Sequence, residues 1–143
     1  MSQPAGHHRQ AETKPARPAD VDTGFWLWAL AIPLMSIGYV VDVVSAEDRV
    51  PLAIVLSLLF LVVVDAVAVT FLILMRSGYR WTRTLLTAGG LASMVSVGTG
   101  LFVAERPPWS AVTFAVTGII GAVLIGGGIF LLHRKDSHEF FTR

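Results

Sequence analysis

The segment Leu52–Met75, LAIVLSLLFLVVVDAVAVTFLILM, decides the fold of this chain. Its 24 residues include one ionisable side chain, Asp65. An α-helix rises about 1.5 Å per residue, so roughly 20 apolar residues cross the hydrocarbon core of a bilayer. A soluble helix would carry its apolar residues on one face, whereas here they form a continuous run. The segment therefore predicts a transmembrane helix.

Three further segments have the same character and are joined by short loops. They cover residues 25–44, 82–103 and 109–132 of a 143-residue chain that is 54% hydrophobic. Short loops between successive spans place neighbouring helices antiparallel. The sequence thus predicts an all-α fold, an up-down bundle of four transmembrane helices. Residues 1–24, which are polar and contain three prolines, predict a disordered tail, and residues 133–143 predict a second short tail.

The basic residues predict the orientation of these helices. The loops that follow the first and third helices carry only Arg49 and Arg106. The two tails and the connection after the second helix carry the other nine bases: Arg9, Lys14, Arg17, Arg76, Arg80, Arg83, Arg134, Lys135 and Arg143. Short cytoplasmic loops hold the Lys and Arg excess, so both termini are expected in the cytoplasm and the protein in the cell membrane.

The chain lacks the residues that several classes of function require. Without cysteine the chain has no disulfide, thiolate metal site or cysteine nucleophile. Its formal net charge of +1 does not favour a nucleic-acid partner. We find no paired carboxylates, no Ser/His/Asp arrangement and no phosphate-binding motif. The sequence therefore favours a protein that is not an enzyme and needs no cofactor or metal.

Asp65 is the sharpest functional candidate. It lies near the middle of the second segment, where a charged carboxylate costs about 2.5–3.5 kcal/mol on insertion scales. Ser36 and Ser93 lie at matching depth in the first and third segments, and a hydrogen bond from one of them to Asp65 is expected. The functional interpretation is a proton- or cation-responsive site. The structural interpretation is an interhelical hydrogen bond or a contact to a partner subunit.

Small residues recur every fourth position in the last two segments. They are Ala88, Ala92, Ser96 and Gly100 in the third helix, and Gly118, Ala122 and Gly126 in the fourth. Such faces let two helix backbones approach closely. We expect the third and fourth helices to pack along them, although the same faces could join two copies of the chain.

Two further groups of charges have predicted roles. Asp42, near the outer end of the first helix, is expected to form a surface ion pair with Arg49 or Arg106.

Gly78 is expected to end the second helix in a left-handed conformation. Beside it lie the residues expected to contact anionic lipid headgroups, at about 1 kcal/mol per base: Arg76, Arg80, Trp81 and Arg83.

The chain resembles a set of small four-helix membrane proteins from actinobacteria. The resemblance rests on the Phe-Trp-Leu-Trp start of the first helix at Phe25–Trp28 and on the hairpin pattern of Arg76–Thr87. It extends to a tail with serine and paired aromatics at Ser137–Phe141. It implies the four-helix topology and no particular activity.

Two functions remain open from the sequence. The first is a non-catalytic accessory or envelope-associated protein that contacts the lipid bilayer and a larger membrane complex. The second is a small proton- or cation-coupled transporter or channel that acts as a homo-oligomer through Asp65.

Overall fold

The structure, a computed structural model, describes residues 19–103 and 105–134. Within these residues it contains four helices and no strand. The helices are α1 (Ala19–Ser45), α2 (Pro51–Arg76), α3 (Arg80–Val103) and α4 (Pro108–Leu132). All four are long and apolar enough to cross a membrane. The predicted all-α fold with four membrane-spanning helices is confirmed.

The helix ends follow from local backbone chemistry. Both α2 and α4 begin with proline, whose missing N–H falls among groups that a first turn leaves unpaired anyway. At the other end of α2, Gly78 has φ 89° and its N–H bonds to Met75 O at 2.9 Å. This is the left-handed helix end predicted for Gly78.

The predicted start of the first helix is wrong by six residues. Residues 19–24, assigned to a disordered tail, form the first turns of α1, and Val21 is fully buried. The acidic Asp20 and Asp22 occupy the first turn, where carboxylates interact favourably with the helix dipole. Asp22 also pairs with Arg76 of α2, and Asp20 pairs with Arg134, just after α4. Residues 1–18 and 135–143, the rest of the two predicted tails, lie outside the described residues.

The helices contact one another as a ring rather than as a fully packed core. α1 contacts α2 and α4, and α3 contacts the same two helices. By far the most extensive contact joins α1 to α4. α3 and α4 do contact each other, as expected, but far less extensively than α1 and α4.

Small residues make the α1–α4 contact close. A Cβ added at Gly24 would meet Leu132 of α4 at 3.5 Å, and one added at Gly128 would meet Trp28 of α1 at 2.6 Å. Side chains therefore fill the space that glycine leaves on the facing helix. Gly121 is matched in the same way with Met35, and Gly38 with Thr117.

The predicted small-residue faces are used only in part. Gly118 faces Val97 of α3, and Gly100 faces Phe114 of α4. Gly126 has open space where its Cβ would be. The other α3 positions, Ala88, Ala92 and Ser96, are exposed, while Ala122 is half-buried. The α3–α4 faces are only partly used because the closest contact of α4 is with α1, where Trp28 packs against Gly128 and Met35 against Gly121.

Candidate functional site

A cavity of about 610 Å³ lies between the four helices. Its lining is mostly apolar. The lining residues on α1 and α4 are buried or half-buried, whereas several on α2 and α3 are exposed, including Phe60, Val67 and Leu85. The cavity therefore opens sideways between α2 and α3, towards the surface that would face lipid.

Asp65 lies in the wall of this cavity, near the middle of its helix. It is 14 residues after Pro51 and 11 before Arg76, or roughly 21 and 16 Å from the two helix ends at about 1.5 Å per residue. The Oγ atom of Ser36 donates a hydrogen bond to Asp65 Oδ2 at 2.7 Å. This is the contact between α1 and α2 expected from the depth of the two residues.

Ser93 also lines the cavity but does not bond to Asp65. Its Oγ donates to Gly89 O, one turn earlier in its own helix, at 2.9 Å. Of the two serines at matching depth, the structure thus joins Ser36 to the carboxyl and leaves Ser93 satisfied by its own backbone.

The Ser36 hydroxyl has two acceptors within reach. Its Oγ lies 2.7 Å from Asp65 Oδ2 and 2.9 Å from Ile32 O. A hydroxyl carries one hydrogen and can donate to only one of them at a time. When Asp65 is ionised, Ser36 donates to it. When Asp65 is protonated, Asp65 can donate to Ser36 Oγ while Ser36 donates to Ile32 O. The arrangement of Ser36, Asp65 and Ile32 O is therefore compatible with either charge state of the carboxyl.

No basic side chain in the described part of the chain pairs with Asp65. The ion pairs observed there lie at the helix ends and use other carboxylates. Residues 19–103 and 105–134 also contain no group of three His, Asp or Glu side chains placed to hold a metal ion. The carboxyl at mid-membrane depth is therefore hydrogen-bonded to Ser36 but not neutralised within these ranges.

A largely buried ion pair closes the bundle at the end away from Arg76. Arg106 donates through Nε to Asp42 Oδ1 and through Nη1 to Gly100 O, and its guanidinium lies 4.0 Å from the centroid of the Phe114 ring. The side chains of Arg106 and Asp42 are only 9% and 17% exposed. The partner of Asp42 is one of the two predicted, but the pair is largely buried rather than on the surface, because Phe114 and the end of α3 enclose the guanidinium.

The residues predicted to contact lipid headgroups divide into two kinds. Arg76 pairs with Asp22 at 3.0 Å and lies over the Phe25 ring, and Arg83 Nη1 donates to Leu132 O at 3.4 Å. These two arginines join helix ends within the protein. Arg80 and Trp81 are exposed, and the Trp81 ring packs edge-on against Phe71. Headgroup contact remains a prediction, carried mainly by Arg80 and Trp81.

Sequence reasoning missed the aromatic part of the cavity wall. Five aromatic side chains contribute to the lining: Trp28, Tyr39, Phe60, Phe71 and Phe114. Trp28, which belongs to the Phe-Trp-Leu-Trp start of the first helix, is 5% exposed within the core. A signal was available in the spacing of Trp28, Ile32, Met35 and Tyr39, which places all four on one side of α1 together with Ser36.

The geometry thus describes a mostly apolar, laterally open cavity with one hydrogen-bonded carboxyl at its side. Comparison of the chain with protein-family models, with curated proteins and with solved structures finds no match in any of the three.

Proposed function

We propose that this multi-pass membrane protein is a non-catalytic subunit that associates with another membrane protein through its α2–α3 side. The observation that carries the proposal is the exposure of Ala88, Ala92 and Ser96 on α3. Small residues at four-residue spacing allow close approach of a helix. Here α4 leaves these positions uncovered, because it is paired with α1.

The occupant we propose is a transmembrane helix of a different protein. Asp65 lines the same laterally open cavity as Ala92 and Ser96. A second copy of the chain docked there would bring a second uncompensated carboxyl to the contact, and like charges in a low-dielectric region repel. A helix that offers a hydrogen-bond donor avoids that repulsion.

Site-specific photocrosslinking in native membranes tests this association. A photoreactive side chain at Ala92 is expected to give one discrete adduct with another membrane protein, identified by mass spectrometry. The control is Val116, which is 51% exposed on α4 and is expected to label only lipid. Equal adducts from both positions, or none from Ala92, would exclude this docking side.

The proposed orientation in the cell membrane places both termini in the cytoplasm. It is supported by the concentration of bases at one end of the bundle, including Arg76, Arg80 and Arg134. Because the chain has no cysteine, single replacements Glu47→Cys and Ser77→Cys report it without background. An impermeant thiol reagent added to whole cells is expected to label position 47 and to spare position 77.

A second candidate function is a small proton- or cation-coupled transporter acting as a homo-oligomer through Asp65. It is favoured by the Ser36–Asp65 hydrogen bond at mid-membrane depth inside the cavity. Flux of protons or cations in proteoliposomes that is abolished by Asp65→Asn, with unchanged folding, would support it. Flux that survives the replacement would exclude Asp65 as its coupling residue.

A further inference from the structure

We propose that the cavity between the helices is a binding site for a small amphipathic organic cation, with Asp65 as its counter-ion. The inference rests on the Asp65 site of the second candidate function and names the class of ligand that this site binds. It requires neither a coupled transport cycle nor a partner helix at the α2–α3 side.

The dimensions of the cavity suit a small organic molecule. Its volume of about 610 Å³ falls within the roughly 300–1,000 Å³ of known ligand pockets. Because the exposed part of the lining belongs to α2 and α3, a molecule dissolved in the bilayer has a direct lateral path to Asp65. This access favours a ligand that partitions into lipid over one that arrives from water.

The charge of the site selects a cation. Ser36 donates to Oδ2 of Asp65, and no hydrogen bond to Oδ1 is seen among the described residues. No basic side chain within these ranges compensates the carboxylate. A cation in the cavity would do so in a region of low dielectric, where an ion pair is far stronger than in water.

The lining favours an organic cation over a metal ion. Metal cations such as Ca²⁺ and Mg²⁺ need about six oxygen ligands and favour carboxylates, but the cavity offers one carboxyl and otherwise only hydroxyl side chains, those of Ser36, Tyr39, Ser93, Ser96 and Thr117. Aromatic rings, by contrast, attract organic cations through their faces. Trp28 and Tyr39 line the cavity on α1, and Phe60 and Phe71 line it on α2.

Equilibrium binding of radiolabelled tetraphenylphosphonium tests the proposal. The full chain is reconstituted in nanodiscs of zwitterionic phospholipid, so that anionic lipid does not bind the probe. We expect saturable binding by the wild type and at least a tenfold loss of affinity for Asp65→Asn, whose amide oxygen can still accept the Ser36 hydrogen bond. Asp48→Asn is the matched control, because it removes a carboxylate from the exposed outer loop and is expected to leave the affinity unchanged.

An uncharged analogue separates charge recognition from simple partition into the cavity. Triphenylphosphine oxide should not displace the cation from the wild type, and Asp65→Glu should retain part of the binding. If Asp65→Asn does not fold, these two measurements still decide the matter. The proposal is overturned if the wild type shows no saturable binding, if Asp65→Asn and Asp48→Asn bind equally well, or if the uncharged analogue competes as strongly as a cation.

The outcome is distinguishable from that of the transport proposal. Saturable, Asp65-dependent binding without flux in proteoliposomes supports a cation site and excludes transport. Asp65-dependent proton flux without binding of the organic cation supports transport and excludes this ligand class.

Discussion

Two glycines of α4, two residues apart, should respond in opposite ways to the same substitution. A Cβ at Gly128 would lie 2.6 Å from Trp28 Cδ1 and 2.7 Å from Trp28 Nε1, both closer than carbon and nitrogen atoms tolerate. A Cβ at Gly126 would meet nothing within 4 Å. The pair of variants therefore tests directly whether α4 packs on α1.

The expected magnitudes follow from two effects. Replacing glycine by alanine inside a helix stabilises it by about 0.8–1.0 kcal/mol, and this gain applies to both positions. Overpacking a filled contact costs about 1–3 kcal/mol, and this cost applies only at Gly128, because the rigid indole of Trp28 is itself 5% exposed and enclosed. Gly128→Ala should thus be less stable than Gly126→Ala by about 1–3 kcal/mol, and Gly126→Ala should match or exceed the wild type.

Unfolding in mixed micelles measures this difference. The fluorescence of the four tryptophans is followed while sodium dodecyl sulfate is added to protein in a mild detergent, and the free energies of unfolding are compared. A difference below about 0.5 kcal/mol, the usual size for a surface substitution, would contradict the α1–α4 contact. Greater destabilisation by Gly126→Ala than by Gly128→Ala would instead support close packing of α3 on α4 along the predicted small-residue face.

Three further perturbations address other contacts in the same unfolding assay. Ser36→Ala removes the partner of Asp65 and should cost about 0.6 kcal/mol, the average for hydrogen bonds within membranes, whereas Ser93→Ala, which breaks only a bond within its own helix, should cost close to nothing; equal effects would contradict the Ser36–Asp65 pairing. Arg106→Ala leaves Asp42 buried without its cation and should cost about 3–5 kcal/mol, with Arg106→Lys recovering only part because lysine lacks the planar fork; a loss below about 1 kcal/mol would indicate an exposed pair. Gly78→Ala places a Cβ at φ 89° and should cost about 1–2 kcal/mol, and an unchanged midpoint would argue against a left-handed turn.

The helices themselves could be predicted because the bilayer restricts what a chain can do. A span must satisfy its backbone internally and must reach across about 30 Å of hydrocarbon, so apolar length alone predicts α2 as Leu52–Met75 against an observed Pro51–Arg76. The error in the predicted start of α1 has a different cause. Its first turns lie beyond the apolar run and depend on Asp22 finding Arg76 across the bundle, a tertiary contact that composition does not reveal.

The pairing of the helices could not be predicted from small residues alone. The four-residue pattern of α3 and α4 shows which faces allow close approach but not which helix approaches. The missing information lay in α1, where Trp28 and Met35 are seven residues apart, as are their partners Gly128 and Gly121 on α4. A large side chain opposite each glycine, repeated at seven residues, is the spacing that keeps two helices in continuous contact.

The same seven-residue register extends along α1 and α4 as far as the ion pair at the end of the bundle. Continuing from Trp28 and Met35, the next positions are Asp42 on α1 and Phe114 on α4, and these are the residues that Arg106 joins at the end of the bundle. Along the α1–α4 contact, side chains of the facing helix thus fill the space beside Gly24, Gly38, Gly121 and Gly128. α2 has no glycine, its contacts with α1 and α3 are less extensive than the α1–α4 contact, and space remains between it and α3. Because α1 packs more closely on α4 than on α2, Asp65 lies in the wall of that space, where Ser36 of α1 donates a hydrogen bond to it.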